Sequence, residues 1–279
     1  MSIKNITSFV QSSLYEEMYC SRAKANIIRQ LISEYQAALG LQRIEWTEQN
    51  VVGKFVATKQ YDLKNLQLYE LLDSHGVLPK AVRIKWSRLN ESEQFSLQEC
   101  RLASKPYLRI TPKGTDLWQR EEDISSYNNA LANYDIFGLL DQWKHQKWIY
   151  SRLFDRWSAL RNSALKEMLD TKQFTISLSA GKLSVVSPDP CVDTNAAFQS
   201  GGTELLQRCG KIDLEQVKLF AAKGYFSMTQ IQEHLKVLNV RTKYILLTLT
   251  SERNMMVGMI QQSNRYSWMN LRSQKGWEA

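Results

Sequence analysis

The residues of this chain that could perform catalysis are few and lie far apart in the sequence. The three histidines, His75, His145 and His234, belong to no His-Glu-x-x-His motif. The sequence also lacks the Gly-x-x-x-x-Gly-Lys-Ser/Thr and Gly-x-Gly-x-x-Gly phosphate-binding patterns and the Gly-x-Ser-x-Gly nucleophile pattern. We therefore expect a non-enzymatic protein, with no catalytic residues, no metal site and no cofactor.

The cysteines favour the same interpretation. The chain has four cysteines, and no two of them form a Cys-x-x-Cys pair. Scattered cysteines of this kind are typical of reduced thiols in a cytosolic protein, because zinc sites and redox pairs need close spacing. We expect a cytoplasmic location.

One catalytic alternative is a metal-dependent nuclease. Asp189 follows a predicted strand, and Glu215 and Lys218 lie further along the chain. Two carboxylates and a lysine are what such an enzyme needs to bind Mg²⁺ and polarise water. The Glu-x-Lys strand typical of these enzymes is missing, so this is the third of three hypotheses.

Basic residues near the C-terminus suggest a different chemistry, the neutralisation of phosphate groups. The net charge is +8, and the segment from Glu204 onward carries 11 Lys and Arg against 6 Asp and Glu, a net +5. Cations bound to phosphates supply most of the non-specific affinity for nucleic acid. The candidate nucleic-acid-binding residues of this segment are Lys236, Asn239, Arg241, Thr242, Lys243, Arg253 and Arg265.

Local patterns predict the elements that hold these residues. Ser227 and Gln230 form a capping-box pattern at the start of a helix, behind an upstream helix over 214–222. A second helix is predicted from Arg241, with Ile245 and Leu249 on one face. Residues 255–271 then alternate around a polar turn at 262–264, which predicts a two-stranded hairpin.

The order helix, turn, helix, hairpin resembles that of the winged helix-turn-helix superfamily, over about the last quarter of the chain. The resemblance implies that the helix from Arg241 enters a DNA groove and that the hairpin forms the wing. It makes Lys236, Arg241, Lys243 and Arg265 candidate phosphate contacts, and Asn239 and Thr242 candidates for contacts that specify sequence. Lys236 occupies a turn position where the superfamily usually has a small residue.

The rest of the chain predicts a helical domain with small antiparallel sheets. Long amphipathic helices are predicted over 8–39 and 135–170, a shorter helix over 62–74, strands over 81–86 and 107–111, and a hairpin over 174–186. The Trp and Tyr residues on the stripe of the 135–170 helix are expected to pack against the first helix. The predicted fold class is thus α+β and mostly helical, with an N-terminal assembly domain over 1–186, a linker or mobile loop over 187–203, and a winged helix over 204–279.

The leading hypothesis is a non-enzymatic DNA-binding protein that acts in transcriptional regulation or in the replication or maintenance of a mobile element. Its expected partners are double-stranded DNA and, through the N-terminal helices, a second copy or another protein. A pI near 9.2 agrees with an anionic partner. No apolar run reaches the roughly 18 residues of a membrane span, so no membrane is expected. The alternative hypothesis is an assembly subunit of a larger complex, with the winged helix as a protein adaptor.

Overall fold

The structure is a computed structural model that describes residues 2–112, 121–178 and 181–274. The fold is α+β and mostly helical, with small antiparallel sheets, as predicted. The chain divides into two compact units, each built from three segments. Unit 1 contains residues 1–55, 106–187 and 244–250, and unit 2 contains residues 56–105, 188–243 and 251–279.

Eleven α-helices are present in the described residues. They are α1 Ser2–Gln11, α2 Ser13–Ala38, α3 Leu66–Ser74, α4 Leu78–Ala81, α5 Glu91–Ser96, α6 Glu121–Leu131, α7 Ile136–Asp170, α8 Thr194–Cys209, α9 Leu214–Ala222, α10 Met228–His234 and α11 Leu249–Gln274. Within the described part of the chain, every helix is too short or too polar to cross a bilayer.

Among the residues that the structure describes, ten strands form four small sheets. They are β1 Arg43–Trp46, β2 Val51–Asp62, β3 Val82–Ile84, β4 Arg101–Leu102, β5 Tyr107–Pro112, β6 Thr175–Leu178, β7 Gly181–Val186, β8 Cys191–Val192, β9 Gly210–Ile212 and β10 Lys236–Thr248. The strand orders are β1-β2-β10, β3-β9, β4-β8 and β5-β7-β6.

Unit 1 is centred on the packing of α1 and α2 against α7. The ring of Trp157 on α7 lies 5.6 Å from that of Phe9 and 5.0 Å from that of Tyr15. The Asp135 carboxylate accepts a hydrogen bond from the Gly138 backbone N–H and so caps α7. The β5-β7-β6 sheet adds the buried side chains of Leu108 and Leu183 to this core.

A buried hydrogen-bond network fixes the sheet of unit 1 to α2. Gln36 is fully buried on α2, and its side-chain amide donates to the carbonyls of Leu41 and Gly53 at 3.0 and 3.3 Å. The Tyr244 hydroxyl donates to Gln36 Oε1 at 3.0 Å. Each polar atom of the Gln36 amide therefore has a partner, as burial requires.

Unit 2 has its own apolar core. Leu68 and Tyr69 on α3 pack with Leu206 on α8 and Val217 on α9, all of them fully buried. The antiparallel pair β3-β9 completes this core, with Val82 opposite Ile212.

Several sequence predictions are confirmed. The predicted helix over 135–170 is α7, and Trp143 and Trp157 of its stripe are buried. The predicted hairpin over 174–186 is β6-β7, although Ser179 and Ala180 lie outside the described residues. The strands near 82 and 107, the helix over 214–222 and the Ser227–Gln230 capping box are also present.

Two predictions in the N-terminal three quarters are wrong. The single helix over 8–39 is broken at Ser12, whose extended backbone (φ −76°, ψ 158°) separates α1 from α2. The linker over 187–203 instead contains β8 and the first half of α8, where Ala197 is fully buried. The small residues of this segment allow close packing. Composition alone does not distinguish such a segment from a linker, because both are rich in small residues.

The elements predicted after α10 are also wrong. The helix expected from Arg241 is part of the strand β10, because residues such as Val237, Val240 and Thr242 suit a strand. The hairpin expected over 255–271 is part of the helix α11, whose methionines and glutamines are good helix formers. The observed order is helix, strand, helix, so the predicted recognition helix and wing are not formed.

Candidate nucleic-acid interface

Most of the predicted binding residues lie on an exposed pair of strands. The partner β1 is in register with Val51 to Lys54 of β2, while β10 is the other neighbour of β2. β2 continues to Asp62, whereas its pairing with β1 ends at Lys54. The rest of β2 therefore has β10 as its strand partner. We call residues 56–62 and 236–243, all in unit 2, the ribbon.

The two strands of the ribbon run in opposite directions. At the unit 1 end of the same strands, the backbone N–H of Leu249 donates to the carbonyl of Asn50 at 3.0 Å. The rings of Tyr244 and Phe55 lie 4.9 Å apart. Going back from Leu249, just after β10, to Tyr244 within it, the paired segment thus runs forward from Asn50, just before β2, to Phe55 within it.

Strand periodicity assigns the side chains of the ribbon to two faces. Tyr244 and Phe55 share a face, and successive side chains of a strand alternate between faces. Even-numbered residues of β2 therefore share a face with odd-numbered residues of β10. The first face, which we call the polar face, carries Val56, Thr58, Gln60, Asp62, Val237, Asn239, Arg241 and Lys243. The second face carries Ala57, Lys59, Tyr61, Lys236, Leu238, Val240 and Thr242.

The ribbon is basic and accessible. It contains the cations Lys59, Lys236, Arg241 and Lys243 and a single acidic residue, Asp62. Residues 57–60 and 236–243 are all exposed. In the described parts of the chain none of these four cations forms an ion pair, so each is open to an external anion.

The predicted site residues are thus partly brought together. Asn239, Arg241 and Lys243 share the polar face, whereas Lys236 and Thr242 lie on the opposite face. Arg253 is exposed on α11. Arg265 also falls in α11, but its side chain lies outside those that the structure describes.

Sequence reasoning missed the contribution of β2. Thr58 and Gln60 complete the polar face, and Lys59 adds a cation to the other face. The signal was the high content of β-branched and aromatic residues in 51–62, which is typical of a strand.

The residues of the nuclease hypothesis are engaged separately. Asp189 accepts hydrogen bonds from the backbone N–H and the hydroxyl of Ser87. Glu215 pairs with Lys218 at 2.7 Å on the exposed surface of α9. The described residues contain no group of three or more His, Cys, Asp or Glu side chains that could hold a metal ion.

The buried thiol of unit 2 has a packing role. Cys209 Sγ donates to the Arg88 carbonyl at 3.2 Å, and burial raises the pKa of this thiol. A raised pKa keeps the sulfur protonated near neutral pH, which disfavours its use as a nucleophile.

The sequence matches no protein-family model, and comparison with curated proteins and with solved structures finds no match. What can be inferred about function therefore depends on the ribbon itself.

Proposed function

We propose that the protein binds nucleic acid and that the ribbon is the binding element. The observation that carries this proposal is the presence of four exposed cations on two paired strands, none of which pairs with an acidic side chain among the described residues. Cations placed so can neutralise phosphates and release the counterions condensed on them. A two-stranded ribbon is also one of the two elements that fit a DNA groove.

The proposal is tested by removing two cations of the polar face and measuring affinity. The double variant Arg241→Gln, Lys243→Gln keeps side-chain length and hydrogen-bonding ability but loses two charges. We expect it to bind a mixed-sequence 30-base-pair duplex at least tenfold more weakly at 50 mM salt. On unselected DNA these two cations contact phosphates, and each lost phosphate contact lowers the salt slope by about 0.9. The plot of log affinity against log salt should therefore flatten by roughly 2.

A charge-matched control separates the ribbon from the net charge. The double variant Arg29→Gln, Lys166→Gln removes two exposed cations from α2 and α7 of unit 1. It should bind within about twofold of the unchanged protein. Equal losses for the two double variants, or no salt-sensitive binding by the unchanged protein, would refute the proposal.

A second candidate function is assembly with further copies of the chain, and the surface of α11 favours it. Met255, Met256, Val257, Met259 and Ile260 are 49–68% exposed. Exposed apolar clusters of this kind mark interaction surfaces more often than isolated exposed residues do. Sedimentation of the unchanged protein and of the double variant Met259→Gln, Ile260→Gln tests this function. The unchanged protein should assemble as its concentration rises, and the variant should assemble more weakly.

A further inference from the structure

We propose that the ligand of the ribbon is double-stranded B-form DNA, and that the polar face reads base edges in its major groove. This inference rests on the proposed function and specifies its ligand.

The polar face carries side chains that can form paired hydrogen bonds with bases. Arg241, Asn239 and Gln60 carry planar groups with two hydrogen-bonding positions, and Lys243 and Thr58 add further donors. Arginine pairs in bidentate fashion with O6 and N7 of guanine, and asparagine or glutamine pairs likewise with N6 and N7 of adenine. The polar face thus combines the side-chain types that distinguish bases in the major groove.

The other face of the ribbon is more apolar. That face presents Leu238 and Val240, which are 62% and 52% exposed, beside Ala57. Its polar members are Lys59, Lys236, Thr242 and the Tyr61 hydroxyl, and it has no amide or guanidinium group. The floor of a DNA groove is lined with hydrogen-bond donors and acceptors. The polar face can pair with these groups, and the second face cannot.

The dimensions and chemistry of the ribbon favour B-form DNA over RNA and single strands. Two strands lie about 4.8 Å apart, and with side chains they fit a major groove about 12 Å wide but not a minor groove about 6 Å wide. The major groove of A-form RNA is too narrow for side chains to read. Single strands are held mainly by aromatic stacking, and the polar face carries no aromatic residue.

The first measurement is a selection of bound duplexes from a randomised library by the full-length protein. We expect a short consensus to emerge. Replacing its guanines by 7-deazaguanine removes the N7 acceptor of the major groove and should weaken binding about tenfold. Replacing them by inosine removes only the minor-groove amino group and should change binding less than twofold.

The second measurement assigns the reading to particular residues. Arg241→Lys keeps the charge but loses the bidentate fork. It should leave affinity for unselected DNA within about twofold and reduce discrimination for the consensus about tenfold. Asn239→Ala should relax a different position of the consensus. The matched control Arg29→Lys, exposed on α2 of unit 1 and outside the ribbon, should change neither property.

The outcomes separate the two proposals. Three outcomes would overturn this inference and leave the proposed function intact, provided that binding still depends on the ribbon and on salt. They are the absence of a consensus, a consensus that Arg241→Lys does not change, and a preference for single strands or RNA. Loss of ribbon dependence altogether overturns both. Circular dichroism and melting of each variant establish that a loss of binding does not reflect unfolding.

Discussion

At the scale of single residues, Gly53 shows how closely the sheet of unit 1 packs on α2. A Cβ atom at this position would meet the Tyr244 hydroxyl and the Gln36 amide oxygen well inside van der Waals distance, and Trp46 at 3.0 Å. These neighbours are buried or tied into the Gln36 hydrogen bonds, so they cannot move without losing those bonds. We expect Gly53→Ala to lower the free energy of unfolding by about 1–3 kcal/mol, measured by urea titration.

The matched control is a glycine in open space. Gly258 lies within α11, and a Cβ added there has no atom within 4 Å. Because alanine favours a helix over glycine by up to about 1 kcal/mol, Gly258→Ala should be neutral or stabilising. Equal effects of the two substitutions would contradict the packing described for Gly53.

Tyr244 predicts a dependence of stability on alkaline pH. Burial raises the pKa of its phenol above the ordinary 10, so the folded protein keeps the neutral form that donates to Gln36. In the unfolded chain the phenol ionises near pH 10. Its contribution to stability is therefore complete below about pH 10 and is lost as the pH rises above that value.

The measurement compares Tyr244→Phe with the unchanged protein. At pH 8 the variant should be less stable by about 1–3 kcal/mol, because the Gln36 Oε1 acceptor loses its partner. Between pH 8 and pH 11 this difference should shrink, because ionisation of Tyr244 in the unfolded chain lowers the free energy of unfolding of the unchanged protein only. Tyr15, Tyr69 and Tyr127, whose pKa values are also raised, affect both proteins alike. A constant difference across this range would refute the assignment.

At the scale of elements, α7 provides a comparison between two tryptophans of one helix. Trp157 is 5% exposed and packs on the rings of Phe9 and Tyr15. Trp148 is 58% exposed, with the Arg152 guanidinium 5.4 Å from its ring centre. Trp157→Ala should cost about 3–5 kcal/mol of stability, because it opens a cavity in the core.

Trp148→Ala should cost at most about 1 kcal/mol, the size of an exposed cation–π contact. Urea titration followed by circular dichroism checks both variants. Similar losses of stability for the two variants would mean that α7 does not pack through the face that its sequence predicts.

The same element shows why part of the fold could be predicted from sequence. The stripe of α7 recurs over 35 residues, so its helical period stands out, and its two tryptophans, Trp143 and Trp157, are buried. The hairpin β6-β7 and the capping box of α10 are likewise local, with both partners close in sequence. Patterns confined to one segment are enough for elements of this kind.

The strand β10 shows where such prediction fails. Ile245, Leu246 and Leu249 are compatible with a helical stripe as well as with a strand, and the segment pairs with β2, far away in the sequence. Strand propensity depends on the neighbours that a strand packs against, and these are not visible in a local window. Sequence patterns therefore identified residue types of the candidate site, such as Asn239 and Arg241, but neither their arrangement on a ribbon nor the contribution of Gln60.

At the scale of the whole molecule, the chain passes repeatedly between its two units. Each unit combines segments from the beginning, middle and end of the chain, and the division falls within β2 and β10. The contiguous domains expected from composition do not describe this organisation, because no local feature marks where a chain leaves one core and enters another. Each unit nevertheless has separate clusters of buried side chains.

Separate cores predict separate responses to cavities. Leu206 and Met168 are both fully buried, the first in unit 2 and the second in unit 1. Each substitution by alanine should cost about 2–5 kcal/mol, since each removes several buried carbon or sulfur atoms. Because opening is governed by local packing, the loss of protection should be concentrated in the unit that carries the cavity.

Hydrogen exchange measured by mass spectrometry distinguishes the two variants. Leu206→Ala should speed exchange in α3 and α9, which pack in the same core, and leave α7 protected. Met168→Ala should have the opposite effect, with faster exchange in α1 and α7 and unchanged protection of α9. If both variants instead speed exchange evenly in α7 and α9, the two units unfold as one cooperative body, and the separate responses expected from separate cores are ruled out.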